Sequence, residues 1–422
     1  MMASIPATLA ETPVLSSRET GKFSRDLNSV SRQLRSALSS LITSVGLDPY
    51  DPQILNRHWG VNKTLSWKIA KIIQTDEPYL ALQQLPGREG IDILLQKGEA
   101  SGVQSKFVEA TKRAVDEFDL LVKSHCGDRE TFDMMGSDLT HVGRKERDEQ
   151  HRKQLFHGAS YLWGVQARVI LSIYVIAPGA SVDGSNPTCD FASISGQLDF
   201  RRLRENVSWV LSRRSRSHDS GSLITGTRVE PLDPSSANLI TPLIPEFCSK
   251  PLPVIEVYPD TTTGYAELTS GEVGNEGAIS FVGGSIDRGW PLVRTRGDQY
   301  ANFSVTSNTP AEVLIFDCYI HESMTYAMPP EVMLRGTRTP LTQAVNDHER
   351  FQLPLSEPLL ELGAPVPARV TPEVPRYSEM LDLAFNRTGW SPAAFRGFRL
   401  KMAYPPMQTA LLMRFPLPEP TL

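Results

Sequence analysis

The chain has 422 residues, more than a single hydrophobic core usually serves, so two or three domains are expected. It is 40% hydrophobic and 22% charged, the balance of an ordinary globular protein, and its net charge of −5 excludes an overall electrostatic bias toward nucleic acid. Cysteines at positions 126, 189, 248 and 318 form no CxxC pair, which excludes the usual zinc patterns and a dense disulfide framework and fits a reducing compartment.

Residues 1–20 are small, polar and proline-containing, and are expected to form a disordered tail. They lack a basic segment followed by a long apolar one, and no run of 18 apolar residues occurs anywhere, so neither a signal peptide nor a membrane span is expected. A cytoplasmic protein of bacterial type is the resulting expectation.

Phe23, Leu27, Val30, Leu34, Leu38, Leu41 and Val45 recur every three or four residues and predict one amphipathic helix of about six turns. This stripe packs on its own domain or forms the seam of a homodimer. Gly46 stops the helix, and Asp48 to Pro52 turn the chain. Two helices then flank the turn Gly60, Val61 and Asn62. Further helices are expected after Pro78, from Ile91 to a stop at Gly98, and from Ser105 to Ser124, so that residues 21–135 make a helical domain of five or six helices. Residues 136–160 carry charges of alternating sign and read as a linker or a solvated helix.

The period changes at Val165. Val165, Ala167, Val169, Leu171, Ile173 and Val175 alternate with Gln166, Arg168 and Ser172, the pattern of a half-buried strand. Further strands are expected near residues 253–258, 278–282, 300–305 and 311–320, with turns at 260–264, 271–275, 283–285 and 306–310 and a polar loop at 213–221. Proline is densest in the last two-thirds of the chain, and the final 100 or so residues read as a proline-interrupted extension with one helix from Tyr377 to Phe385. The expected fold class is therefore multidomain α + β: a helical N-terminal domain, then at 161–422 a β-rich sandwich or jelly-roll-like domain.

One stretch points to a chemistry. From Asp51 to Thr75 the basic residues are Arg57, Lys63, Lys68 and Lys71 against the single acid Asp51, a local +3 in an acidic chain. Gly60 suits the tight turn, and Asn62 suits the cap of the following helix. Ile54, Leu55, Trp59 and Val61 would lock onto Leu65, Ile69 and Ile72, leaving Lys63, Thr64, Trp67, Lys68 and Lys71 outward. This segment resembles the helix-turn-helix of bacterial transcriptional regulators. The resemblance implies a DNA-binding domain whose second helix reads the major groove, with Asn62, Lys63, Thr64, Trp67, Lys68 and Lys71 as the DNA-facing set. The segment departs from the family pattern at Asn56, where alanine is usual, and at Leu65, one position earlier than usual, so its register stays open. The alternative is a structural or assembly protein in which the hairpin is packing only and Trp67 belongs to the core.

No phosphate-binding glycine loop and no HExxH motif occur, so no cofactor or metal site is expected. His141, His151 and His157 are spaced too far apart for a ligand pair on one helix. Asp317 and Cys318 should point to opposite faces of a strand, which leaves no nucleophile–base pair there.

Overall fold

The structure, a computed structural model, describes residues 21–137, 144–179, 187–215, 227–236, 241–258, 263–294, 299–337, 351–364 and 368–419. The expected tail at 1–20, His141, and parts of the loops expected at 213–221 and 260–264 lie outside the described residues. The chain divides into two compact units, Met1–Arg144 and Lys145–Leu422, and is a multidomain α + β protein. Among the described residues no helix is long and apolar enough to cross a membrane.

The first unit holds seven described helices: α1 Lys22–Thr43, α2 Ile54–Trp59, α3 Lys63–Gln74, α4 Pro78–Gln83, α5 Arg88–Ala100, α6 Ser105–His125 and α7 Arg129–Ser137. The apolar row of α1 is spent inside the unit, against α6, α4 and α3, with Leu34, Leu38 and Leu41 fully buried. A dimer through α1 would therefore have to use its polar face. Helix α7 adds to the five or six expected. It starts where Asp128 Oδ1 accepts a hydrogen bond from the Thr131 N–H at 2.7 Å, and it is anchored by the buried ring of Phe132. Gly98 lies inside α5 and does not end it: a Cβ there would stand 3.3 Å from the Trp59 ring, so the glycine lets α5 approach the end of α2.

The segment expected as a linker or a solvated helix contains α8, Arg144–Trp163, and this helix belongs to the β-rich unit. Arg152 pairs with the Glu357 carboxylate and donates to the Ala403 carbonyl at 3.0 Å, while Phe156 packs on Tyr404. Strand β1 (Val165–Pro178) follows directly. It forms a long antiparallel hairpin with β2 (Thr188–Arg202) and pairs in parallel with β9 (Ala311–His321). Around them runs a seven-stranded sheet in the order β12-β13-β9-β1-β2-β7-β4, with β4 Arg228–Pro231, β7 Ile279–Pro291, β12 Leu360–Gly363 and β13 Phe395–Ala403. A second sheet has the order β11-β10-β14-β8, from β8 Tyr300–Ser307, β10 Glu331–Gly336, β11 Gln352–Leu353 and β14 Thr409–Pro416. A third joins β3 (Trp209–Ser215), β6 (Thr263–Leu268) and β5 (Ile255–Tyr258).

The two larger sheets pack face to face, with Ile170, Phe316, Leu400, Phe303, Leu411 and Met413 between them. The opposite face of the seven-stranded sheet is covered by α9 (Tyr377–Thr388), whose Met380, Leu381 and Phe385 meet Ile173, Ile194 and Tyr319. Four corrections to the sequence reading follow. β1 is buried on both faces, because a sheet lies on one side and a helix on the other; Ile170, Ser172 and Ile176 are as covered as their neighbours. The β1–β9 pair makes the main sheet mixed, not purely antiparallel. Gly283, Gly284 and Ser285 sit within β7 and not in a turn: a Cβ on Gly283 would meet the Pro242 carbonyl at 2.9 Å, and one on Gly284 the Ser193 carbonyl at 2.8 Å. The C-terminal segment supplies β13 and β14, internal strands of the two larger sheets, and is not a wrapping extension.

Candidate nucleic-acid interface

Helix α2 is short because Pro52 precedes it and Gly60 ends it in the left-handed region, at φ 64° and ψ 24°. Two residues later Asn62 opens α3, its Oδ1 accepting the Leu65 N–H at 2.7 Å. Asn56, which stands where the family pattern has alanine, donates from Nδ2 to the Val61 carbonyl at 2.7 Å and stitches the turn to α2. Leu65 and Ser66 are both buried. Ser66 occupies the inner position where an apolar residue would be usual, and its hydroxyl donates to the Pro52 carbonyl at 2.8 Å. The hydroxyl is thus satisfied, and α3 packs inward through Leu65, Ser66, Ile69, Ala70, Ile72 and Ile73.

That inner face sets the outer one. Asn62, Lys63, Thr64, Trp67, Lys68 and Lys71 are all exposed. Lys63, Trp67 and Lys71 stand four residues apart on one row, with Thr64 and Lys68 on the adjacent row. Lys63, Thr64, Trp67, Lys68 and Lys71 line a shallow, open depression of about 440 Å³. Trp67 is 54% exposed, so it does not belong to the core. Among the described residues none of the three lysines forms an ion pair, whereas Arg57 nearby is held by Asp51 at 3.0 Å. Gln84, at the C-terminal cap of α4, also lines the depression. Sequence reasoning missed it, since no local periodicity connects α4 to α3; only the packing of the two helices does.

No group of three His, Cys, Asp or Glu among the described residues is placed to hold a metal ion. In the β-rich unit Asp317 is fully buried and receives Arg399 Nε at 2.9 Å, Arg399 Nη2 at 2.7 Å and the Tyr377 hydroxyl. Burial pushes its carboxyl up, while Arg399 and Tyr377 pull it down. Cys318 lies on the opposite face, between the sheets, and burial pushes its thiol well up, the signature of an inert cysteine. His321 is engaged with the Ser323 hydroxyl at 2.8 Å. Asp317 and Cys318 are both buried, on opposite faces of β9.

No family model matches the chain, and no curated protein matches it. Among solved structures, the chain has a likeness to a candidate protease from Parabacteroides distasonis, with a TM-score of 0.24 and 7% identity over 60% of this chain and 40% of that one. At that TM-score the likeness says nothing about activity.

Proposed function

We propose that this chain is a DNA-binding protein of the regulatory kind, in which α2 and α3 act as a helix-turn-helix and the β-rich unit senses a ligand or assembles subunits. The observation that carries the reading is the outer face of α3: three lysines with no carboxylate partner among the described residues, with an exposed tryptophan among them, in a chain that is acidic overall. In the major groove the residues of the first turns of α3 would face base edges, and the lysines would replace condensed counterions on the phosphates. A cytoplasmic location fits this role and is supported by the four cysteines, all unpaired and three of them buried. A mobility-shift assay on genomic fragments at low salt tests the reading. Binding that is lost when Lys63, Lys68 and Lys71 are replaced together by alanine supports it; no binding, or binding indifferent to that replacement, refutes it.

A second reading has its own observation. On α8, Leu155, Tyr161 and Leu162 are 60%, 80% and 70% exposed, an apolar surface that would suit self-association with a second copy of the chain. Light scattering separates the two: a defined oligomer without DNA affinity favours an assembly protein.

A further inference from the structure

We infer that α3 reads thymine, through contact of the Trp67 ring, with Thr64 beside it, against the C5-methyl group in the major groove. The inference rests on the DNA-binding reading above and deepens it. It begins from what the amide and guanidinium side chains of the hairpin are already doing. Asn62 gives its Oδ1 to the cap of α3, Asn56 gives its Nδ2 to the Val61 carbonyl, and Gln74 donates to the Tyr50 carbonyl at 2.6 Å. Arg57 is held by Asp51 at 3.0 Å and Gln53 at 3.1 Å. Asparagine, glutamine and arginine recognise adenine or guanine through paired hydrogen bonds, and those of the hairpin are each committed within it; Gln84 lines the depression from α4 and not from α3. Lys63, Lys68 and Lys71 remain as flexible point charges suited to phosphates.

Trp67 is then the large side chain at the centre of the face, and its chemistry is apolar. An indole 54% exposed between cations wants a partner that is apolar yet surrounded by negative charge. The major-groove edge of duplex DNA offers that combination at one place, the thymine methyl between two rows of phosphates. Thr64, three residues before Trp67 on the same helical face, adds a second methyl to the contact.

The test uses the full chain and duplexes selected from a random library for tight binding. Each thymine in the selected site is replaced in turn by deoxyuridine, which removes the methyl and keeps every hydrogen-bonding group. Removing one buried methyl is worth about fourfold in affinity. The expected result is a loss of about three- to tenfold at one or two positions for the wild type and no loss at those positions for Trp67→Ala, with Trp67 fluorescence changing on binding. Equal affinity of the wild type for thymine and deoxyuridine duplexes at every position overturns the thymine reading while leaving DNA binding intact. Preference for a single strand over the duplex overturns it too, because the ring would then stack on bases. Failure to select any duplex overturns the DNA-binding reading itself. The overturning outcomes are read on the wild-type chain with the substitution made on the DNA, so they do not depend on how the Trp67→Ala variant folds.

Discussion

Asn62 faces two demands that one side chain cannot meet together. As a base reader it would need its amide oxygen free; as the cap of α3 it spends that oxygen on the Leu65 N–H. The structure resolves this toward the cap. Asn62→Ala is therefore expected to lower stability by about 1 kcal/mol, whereas Asn62→Ser keeps the cap and leaves DNA affinity within about twofold. Urea denaturation and DNA titration of both variants check this; a large affinity loss for the serine variant with unchanged stability would show Asn62 reading a base. Glu373 gives a second prediction at this scale. Burial pushes its carboxyl up, but hydrogen bonds from Lys401 and Thr371 outweigh burial and hold it at about 2, below its ordinary 4.5. Between those values the unfolded chain binds the proton more readily, so the contribution is complete above pH 4.5 and disappears as pH falls through about 2. Because Lys401 is partly exposed, Glu373→Gln should cost only about 1 kcal/mol at pH 7, and its difference from the wild type should close over that acid window in denaturation curves.

The secondary elements show which local patterns suffice and which need distant partners. Helix α1 was legible because seven apolar residues keep the 3.6-residue period without interruption. The face of α3 was legible for the same reason: once Leu65, Ile69 and Ile72 are placed inward, geometry puts Lys63, Trp67 and Lys71 outward. Gln84 was not, because it reaches the same depression from another helix. Strand β13 carries a pattern that the sequence analysis passed over. Phe398, Leu400 and Met402 alternate with Arg399 and Lys401, a short period of two, and Arg399 is acceptable inside the protein only because Asp317 on β9 meets it there. β2, whose middle holds Ser193, Ser195, Gly196 and Gln197, is held as a strand by its register with β1 and β7. The Asp317–Arg399 pair is thus a tie between two strands of the central sheet. Asp317→Ala should strand the Arg399 charge and cost about 3–5 kcal/mol, read as a lower denaturant midpoint for the β-rich unit. A change under 1 kcal/mol would show that water or another group replaces the carboxylate.

At the scale of the molecule, the net charge of −5 and the local +3 around α3 point in different directions, and the proposed DNA binding rests on the local one. Phosphate binding needs only a patch, and a local excess of cations can supply it in a chain of net negative charge. The same charge separation makes the account measurable through salt. Fluorescence anisotropy on a selected duplex, with the full chain and with Lys63, Lys68 and Lys71 replaced by alanine singly and together, gives the slope of log affinity against log salt. The account predicts a steep negative slope for the wild type, reduced by about one unit for each lysine that contacts phosphate. A duplex affinity and slope unchanged in the triple variant would contradict it.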